Sequence, residues 1–519
     1  MLIRSYLNRF TYFWLTAPQI LALSNFIIIQ TFRKSAKMNN SHEKPFSPWM
    51  DIIDAIIGLQ DILINSPDDV SDEEIGAKIS PVFFSSPNYI LTFFNVVSLI
   101  FSTRIDKFDQ CIKLAVSFSP FLKRMNLPHE VCFYHTNGFI YYNLYLHGFL
   151  NFDYILKLAP DNQSISEIFY PEINEKYPDF FKTKKSESEI NEIKKFREIG
   201  KNHHPIASAI QNDDIDTFQE IIAKQNIKLD SQIPYSVFES HGIVNRPNDM
   251  PTLIEFAAFF GATKIFKYLI LNNFSNMNIQ SNNQSNLNNQ NDIIDNLNGD
   301  NNHNNQNDLT NTIFSRILRF AVAGGNYEII HLLEGYKIDM KEGFRSAIMC
   351  HRNELVEYFM ENFGFEFSPD EIFLSIEELN MSLVKKNLDN IYKNPYMKDS
   401  HNNNIIHAAV KSDLVWINEM IFSLPNMESL LTEENSFHIT PMMQAVAGSH
   451  QIFKYLVSTK IGNDYWLNWK FQYILGSSAT EENLKYAIEK APDILNSQTF
   501  IYGAMDNPTN MKFIQSCRK

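Results

Sequence analysis

His203 and His204 stand side by side ahead of Pro205, the one adjacent histidine pair in a chain of 519 residues. A zinc site asks for three or four ligands, and no cysteine or carboxylate cluster accompanies this pair, so metal binding is not expected. Asp213-Asp214 and Glu377-Glu378 are paired carboxylates at expected helix starts or turns. There an acidic group meets the positive end of the helix dipole, which accounts for them without general acid–base work. His407 and His450 fall in turns, where one hydrogen-bond partner suffices to explain a histidine. Cys111, Cys132, Cys350 and Cys517 are far apart and form no C-x-x-C pair. No Walker loop, G-x-G-x-x-G, G-x-S-x-G or H-E-x-x-H is present, so the common phosphate, dinucleotide, nucleophile and zinc motifs are missing. No cofactor, metal or catalytic residue is expected.

The composition narrows the partner class. Formal net charge is -14 and 44% of residues are hydrophobic. A chain of this length buries a large core, and an acidic surface without a Lys/Arg run is the wrong sign for a phosphate backbone. Proteins, not nucleic acids, are the expected partners. The few scattered cysteines fit a reducing compartment, which makes an intracellular, cytoplasmic location the expectation.

The first 37 residues stand apart. Phe10 to Phe32 carries no charge and is bracketed by Arg9 and by Arg33-Lys34. It is long enough for the roughly 20 residues that cross a bilayer, although Thr, Pro, Gln, Ser and Asn dilute it. A membrane tether, a signal segment and an over-extended start ahead of Met38 are the three readings it leaves open. From Met38 to about 180 the apolar residues recur at three and four, as in "SPNYILTFFNVVSLIF", which predicts an all-helical N-terminal domain. Residues 181–202 are the most charged stretch and read as a solvated linker helix.

From 203 to 519 a repeat is visible. Ala209, Ala257, Ala321, Ala347 and Ala408 are each followed four residues later by Asp213, Gly261, Gly325, His351 or Ser412, and then by a bulky apolar cluster. A degenerate copy surrounds Ser375. The last clear copy begins Thr440-Pro441 and repeats the string IFKYL of residues 265–269. Its two anchors differ by one residue, which predicts an inter-helix turn shorter by one. Each copy reads as helix, tight turn, helix. Residues 272–312 interrupt the series with Asn, Gln and Asp and contain no Lys or Arg. Such a segment cannot bury enough apolar surface to offset its ordering entropy, so a disordered insertion is expected there.

"TPMMQAVAGSHQIFKYL" resembles the ankyrin signature, and "PTLIEFAAFFGATKIFKYLI" resembles a version with Leu253 and Glu255 at its Pro and His positions. Together with "HHPIASAIQNDDIDTFQEII" they resemble the divergent ankyrin-repeat proteins of the trichomonad type, which carry an associated helical domain of unknown function. The resemblance implies an all-α protein, an ankyrin-repeat solenoid preceded by the helical domain, acting as a non-catalytic scaffold for protein partners. A membrane-tethered adaptor anchored by 10–32 is the alternative, and an enzyme with a site in the N-terminal region a distant one. In that family the partner-facing positions follow the paired small residues and occupy the hairpin tips. Here those are Phe259, Phe260, Ala323, Gly324, Val410, Lys411, Ala447 and Gly448, with Asn248, Asp249, Phe437 and His438 at the tips.

Overall fold

The 3.6-residue periodicity is realised nearly everywhere: the computed structural model is mostly helical and, among the described residues, contains no strand, only the isolated bridges Gln232–Thr252 and Lys398–Asn404. The described residues are 45–65, 76, 78–104, 107–125, 138–160, 162–282, 302–336 and 338–518. The segment 1–37, with every expectation placed on it, lies outside them. No helix among the described residues is long and apolar enough to cross a membrane. The chain divides into two compact units, one holding 97–366 and the other 1–96 with 367–519.

Helix α1 (Met50–Asn65) and helix α2 (Pro87–Thr103) come first. In the 97–366 unit follow α3 (Phe108–Arg124), α4 (Gly138–Leu146), α5 (Phe152–Leu158), α6 (Gln163–Ile168), α7 (Tyr170–Lys176) and α8 (Glu187–Ile199). Helix α8 occupies the middle of the charged stretch 181–202, with 181–186 and 200–202 outside it. Its start is fixed by a capping box, Ser186 with Glu189, and its end by Gly200 in the left-handed conformation. It is not solvated all round. Ile193 and Arg197 are buried, and the Arg197 guanidinium makes a two-pronged contact with Glu172, at 2.6 and 2.8 Å, while lying 4.2 Å from the Tyr142 ring centre. The polar composition hid this because a single stripe, one residue per turn, is enough to dock a helix.

Helix pairs then recur: α9 (Pro205–Gln211) with α10 (Ile215–Gln225), α11 (Leu253–Phe260) with α12 (Thr263–Asn282), α13 (Asn302–Gly324) with α14 (Tyr327–Glu334), and α15 (Lys341–Met349) with α16 (Asn353–Phe363). First helices touch first helices along the series α9, α11, α13, α15, and second helices touch along α10, α12, α14. This explains the two kinds of sequence. In α11 all residues from Leu253 to Phe259 are buried, because neighbours flank it and its own partner covers it. In α14 only Ile329, Ile330 and Leu333 are buried. The small Ala257 and Ala321 let first helices approach.

The turns are equally regular. The amide of the residue five beyond each anchor donates to the anchor's carbonyl: Asp214 to Ala209, Ala262 to Ala257, Asn326 to Ala321, Arg352 to Ala347 and Asn380 to Ser375, all at 2.9 or 3.0 Å. The residue just before is left-handed in each case, namely Asp213, Gly261, Gly325, His351 and Leu379. This is the six-to-one closure of a helix C-terminus. Leu379 adopts it without glycine's freedom, at a cost of about 1–2 kcal/mol.

In the other unit the pairs are α17 (Pro369–Glu377) with α18 (Met381–Lys393), α19 (Ile405–Lys411) with α20 (Val415–Phe422), and α21 (Pro441–Val446) with α22 (His450–Val457). After the short α23 (Lys460–Asp464) come α24 (Trp469–Ser478) with α25 (Glu481–Lys490) and α26 (Gln498–Met505) with α27 (Pro508–Cys517). Here Ser412 is corrected as a turn residue: the left-handed residue is Asp413. Asn404 caps α19, so Ala409, not Ala408, holds the place that Ala257 holds after Thr252; two adjacent alanines concealed the register. In α21–α22, His450 follows Ala445 by five residues where Thr263 follows Ala257 by six, so this turn is shorter by one. Helices α24 and α26 pack through glycine, since a Cβ on Gly476 would lie 2.3 Å from the Phe500 oxygen and one on Gly503 2.2 Å from the Tyr473 oxygen.

Helix α1 and the start of α2 pack on second helices of this unit. Gln60 donates to the Leu379 carbonyl at 2.7 Å, Lys385 meets Asp54 at 2.6 Å, and the Trp416 indole donates to Thr92 at 3.0 Å. Of residues 272–312, the first part continues α12 to Asn282 and the last part begins α13 at Asn302, while 283–301 lie outside the described residues. Elongating an anchored helix avoids the nucleation cost, which composition alone does not reveal.

Candidate functional site

In the 97–366 unit the polar side chains converge on residues 226–252. Asn226, left-handed, ends α10. The chain returns to Thr252 through a hairpin-like pairing in which Ile233 donates to Pro251 and Leu253 to Ser231. Inside it lies Glu239, 0% exposed. One carboxylate oxygen accepts from the Asn202 amide at 3.0 Å and from Gln211 at 3.1 Å; the other accepts from the His241 amide at 3.1 Å and from its ring Nδ1 at 2.5 Å. A carboxylate only accepts, so Nδ1 carries the proton. The ring stands edge-on to Phe259 and Phe260, at 5.3 and 5.1 Å. Nothing in the sequence reading singled out Glu239. The available signal was that it is the only charged residue between Asp230 and Arg246.

The histidine pair does not converge on one point. His203 Nδ1 meets Ser236 Oγ at 2.9 Å, whereas His204 Nε2 donates to the Tyr235 carbonyl at 3.2 Å. Burial and the neighbouring His204 ring hold His203 below the ordinary imidazole range, against the pull of Glu192 and Glu167. Ser236 is itself buried and its oxygen also accepts the Phe238 amide, a turn lock.

The expected partner-facing positions of this unit separate by burial. Phe259, 8% exposed, and Ala323 are buried and offer no side chain to a partner. Phe260 and Gly324 are half-buried. Asn326 links the group, donating to the carbonyls of Ala258 and Phe259 at 2.7 Å. At the tip Asn248 is exposed, while Asp249 is held by Arg316 at 2.7 Å, and Arg316 reaches Glu255 at 2.6 Å.

In the other unit two hairpin tips lie against each other. Ser436 donates its amide to His401, Asn402 donates to the Glu434 carbonyl, and Asn435 donates to Asn403. Phe437 is 66% exposed and its ring is stacked on His401 at 5.7 Å. Glu434 joins His438, at 2.9 Å, to Lys470, at 2.5 Å, and those hydrogen bonds, Lys470 first, hold its carboxyl below the usual range. Trp469, 63% exposed, adjoins Lys470. Phe437 and His438, named from the sequence, thus share a surface with His401 and Trp469, which were not. Lys411 is exposed and paired with Glu377 at 2.5 Å; Ala447 is exposed, Gly448 half-buried, and Val410 buried under its helix neighbours. Asp370, Asp399 and His401 bring potential ligand atoms within 4.8 Å of one another. Their carboxylates already accept from Ser400, His401 and Asn403 and shape the tip.

Beneath these tips His407 is buried. Its Nε2 meets the Ile439 carbonyl at 3.0 Å and must donate; Nδ1 then accepts the Asn404 amide at 3.2 Å. Burial keeps it neutral, below the ordinary imidazole range. His450 Nδ1 meets Asn483, which donates to the carbonyls of Val446 and Gly448 at 3.0 Å. Both histidines tie neighbouring turns.

Comparison with known proteins adds one match. No curated protein matches the chain, and residues 309–389, which span α13 through most of α18, match the family described as a domain of unknown function (DUF3447).

Proposed function

We propose that the protein is a non-catalytic scaffold of the ankyrin-repeat solenoid type, whose task is to hold protein partners. The observation that carries this reading is Phe437, an aromatic ring 66% exposed yet fixed on His401 at the tip of tightly hydrogen-bonded hairpins. Exposed aromatics on a rigid frame are the residues that dominate binding energy at protein interfaces. The repeated pair geometry supports a stack whose members each leave an apolar face for the next to cover. The matched family is often found with ankyrin repeats, which agrees. The acidic net charge of -14 favours a basic partner, and an intracellular setting suits the cysteine content.

The test is affinity capture with the full chain from its native cells, coupled to cross-linking, alongside F437A and W469A. Proteins cross-linked at 395–440 in the wild type and lost in both variants are expected. Identical captures from all three would overturn Phe437 as the anchor, and turnover of a substrate in an activity screen would overturn the non-catalytic reading.

A further inference from the structure

A groove in the 97–366 unit has a chemistry of its own. It encloses about 270 Å³ between α6, α8 and residues 235–238, and a wider channel continues from it past Gln163, Glu167, Lys185 and Glu189. Its lining carries three carboxylates, Glu167, Glu189 and Glu192, against one ammonium, Lys185. Phe196, His203, Tyr235 and Phe238 supply ring faces and edges. Gln163 fixes Glu167 by a 2.8 Å hydrogen bond, and Ser186 fixes one oxygen of Glu189 through the capping box. The other oxygen of each is left for a ligand.

Ammonium groups already sit near rings here: Lys185 lies 5.6 Å from the ring centre of Tyr170, which lines the wider channel, and Lys195, next to the groove, lies 5.4 Å from the ring centre of Phe196. An ammonium over an aromatic face gains by electrostatic attraction to the ring, and more when partly desolvated. We infer that this groove receives a lysine or arginine side chain of a partner protein, held between Glu167 and Glu192 and against the Phe196 and Tyr235 rings. The inference rests on the scaffold reading and names the partner's chemistry. His203 sits inside the groove without opposing this, since it is kept neutral by burial and by His204.

The experiment uses the full chain and a fluorescein-labelled Gly-Gly-Lys-Gly-Gly peptide, with its norleucine counterpart, in fluorescence anisotropy. The lysine peptide should bind at least tenfold more tightly than the norleucine one. E167Q/E192Q should bring the two within about twofold, whereas E361Q/E366Q, which removes the same charge at exposed positions, should leave the preference intact. Equal binding of the two peptides, or equal loss in both double variants, overturns the groove. If E167Q/E192Q does not fold, E192K at an exposed position carries the same test. A second readout is the His203 imidazole followed by NMR: a cation seated beside it must lower its pKa further, and an unchanged value at saturating peptide also overturns the inference. The two readings fail separately. Peptide preference without any captured protein would count against the scaffold alone, and captured proteins without peptide preference against the groove alone.

Discussion

Each unit sets a histidine against phenylalanine, with opposite results. In the 97–366 unit His241 stands on buried Glu239 and turns its edges to Phe259 and Phe260, closing an apolar seam. In the other, His401 lies at an exposed tip and lends its face to Phe437, which remains open to solvent. The difference lies below the ring. A fully buried carboxylate fixes one histidine in the interior, while hydrogen-bonded turns hold the other outside. The same pair of residue types closes an interior seam or stays open to solvent according to what supports it.

The largest effect should come from exchanging the two phenylalanines for alanine. F259A empties a buried site against His241 and Phe260 and should cost about 3–5 kcal/mol, read by urea unfolding followed by circular dichroism. F437A should stay within about 0.5 kcal/mol of wild type and instead lose partner cross-links by tenfold or more. Comparable destabilisation by both would erase the contrast. Because two compact units need not unfold together, hydrogen exchange in 200–261 provides the local measure.

Next in size is the support itself. E239Q keeps the shape but replaces one acceptor oxygen with a donor, which must face either the His241 amide and ring or the Asn202 amide and Gln211, so it should cost about 1–3 kcal/mol. Slower exchange in 227–252 than in wild type would contradict that supporting role. E434Q, its half-buried counterpart, should leave the unfolding midpoint unchanged and weaken only the ordering of Lys470 and His438.

A smaller effect is the pH response of two histidines, half-buried His203 in one unit and buried His407 in the other. His203 and His407 both have folded pKa values depressed below the ordinary 6.5. The unfolded chain therefore binds more protons below 6.5, and stability falls as pH drops through that value toward the folded one. Lowering pH from 7.5 to 5.5 should reduce the urea midpoint. Glu189, Asp214, Glu328 and Glu434, with lowered pKa values, lose stability only nearer their ordinary range. Glu419, raised by burial, runs the other way. The decisive quantity is thus the difference between wild type and H407Q, which should lose the share of the slope due to His407 and keep that due to His203 and the carboxylates. An unchanged slope would place the response elsewhere.

Helix-pair periodicity was legible in the sequence because small anchors, a left-handed turn residue and a bulky cluster each answer to local geometry. Phe437 and His438 were legible for the same reason, as tip positions. Three things were not. The Ala408–Ala409 register required knowing which residue capped the helix. The buried face of α8 is carried by Ile193 and Arg197 in a stretch whose composition reads as solvent. The docking of α1 on residues more than three hundred positions away, through Gln60 and Leu379, leaves no local trace. Glu239 belongs with these, since its hydrogen bonds come from residues 202, 211 and 241.

The smallest predicted effect tests whether the exposed tip is shaped for stability or for presentation. His438 holds a left-handed backbone, with φ at 59°, where a side chain costs about 1–2 kcal/mol relative to glycine. Glycine would remove that cost but adds about 0.5–1 kcal/mol of unfolded-state entropy, and the exposed contact with Glu434 contributes little. H438G should therefore leave the unfolding midpoint within experimental error. If it also left partner cross-links intact, His438 would be a tolerated turn residue beside the real anchor. If cross-links weakened at unchanged stability, the tip would be keeping a strained histidine for the partner, and the contrast with the buried His241 would be complete.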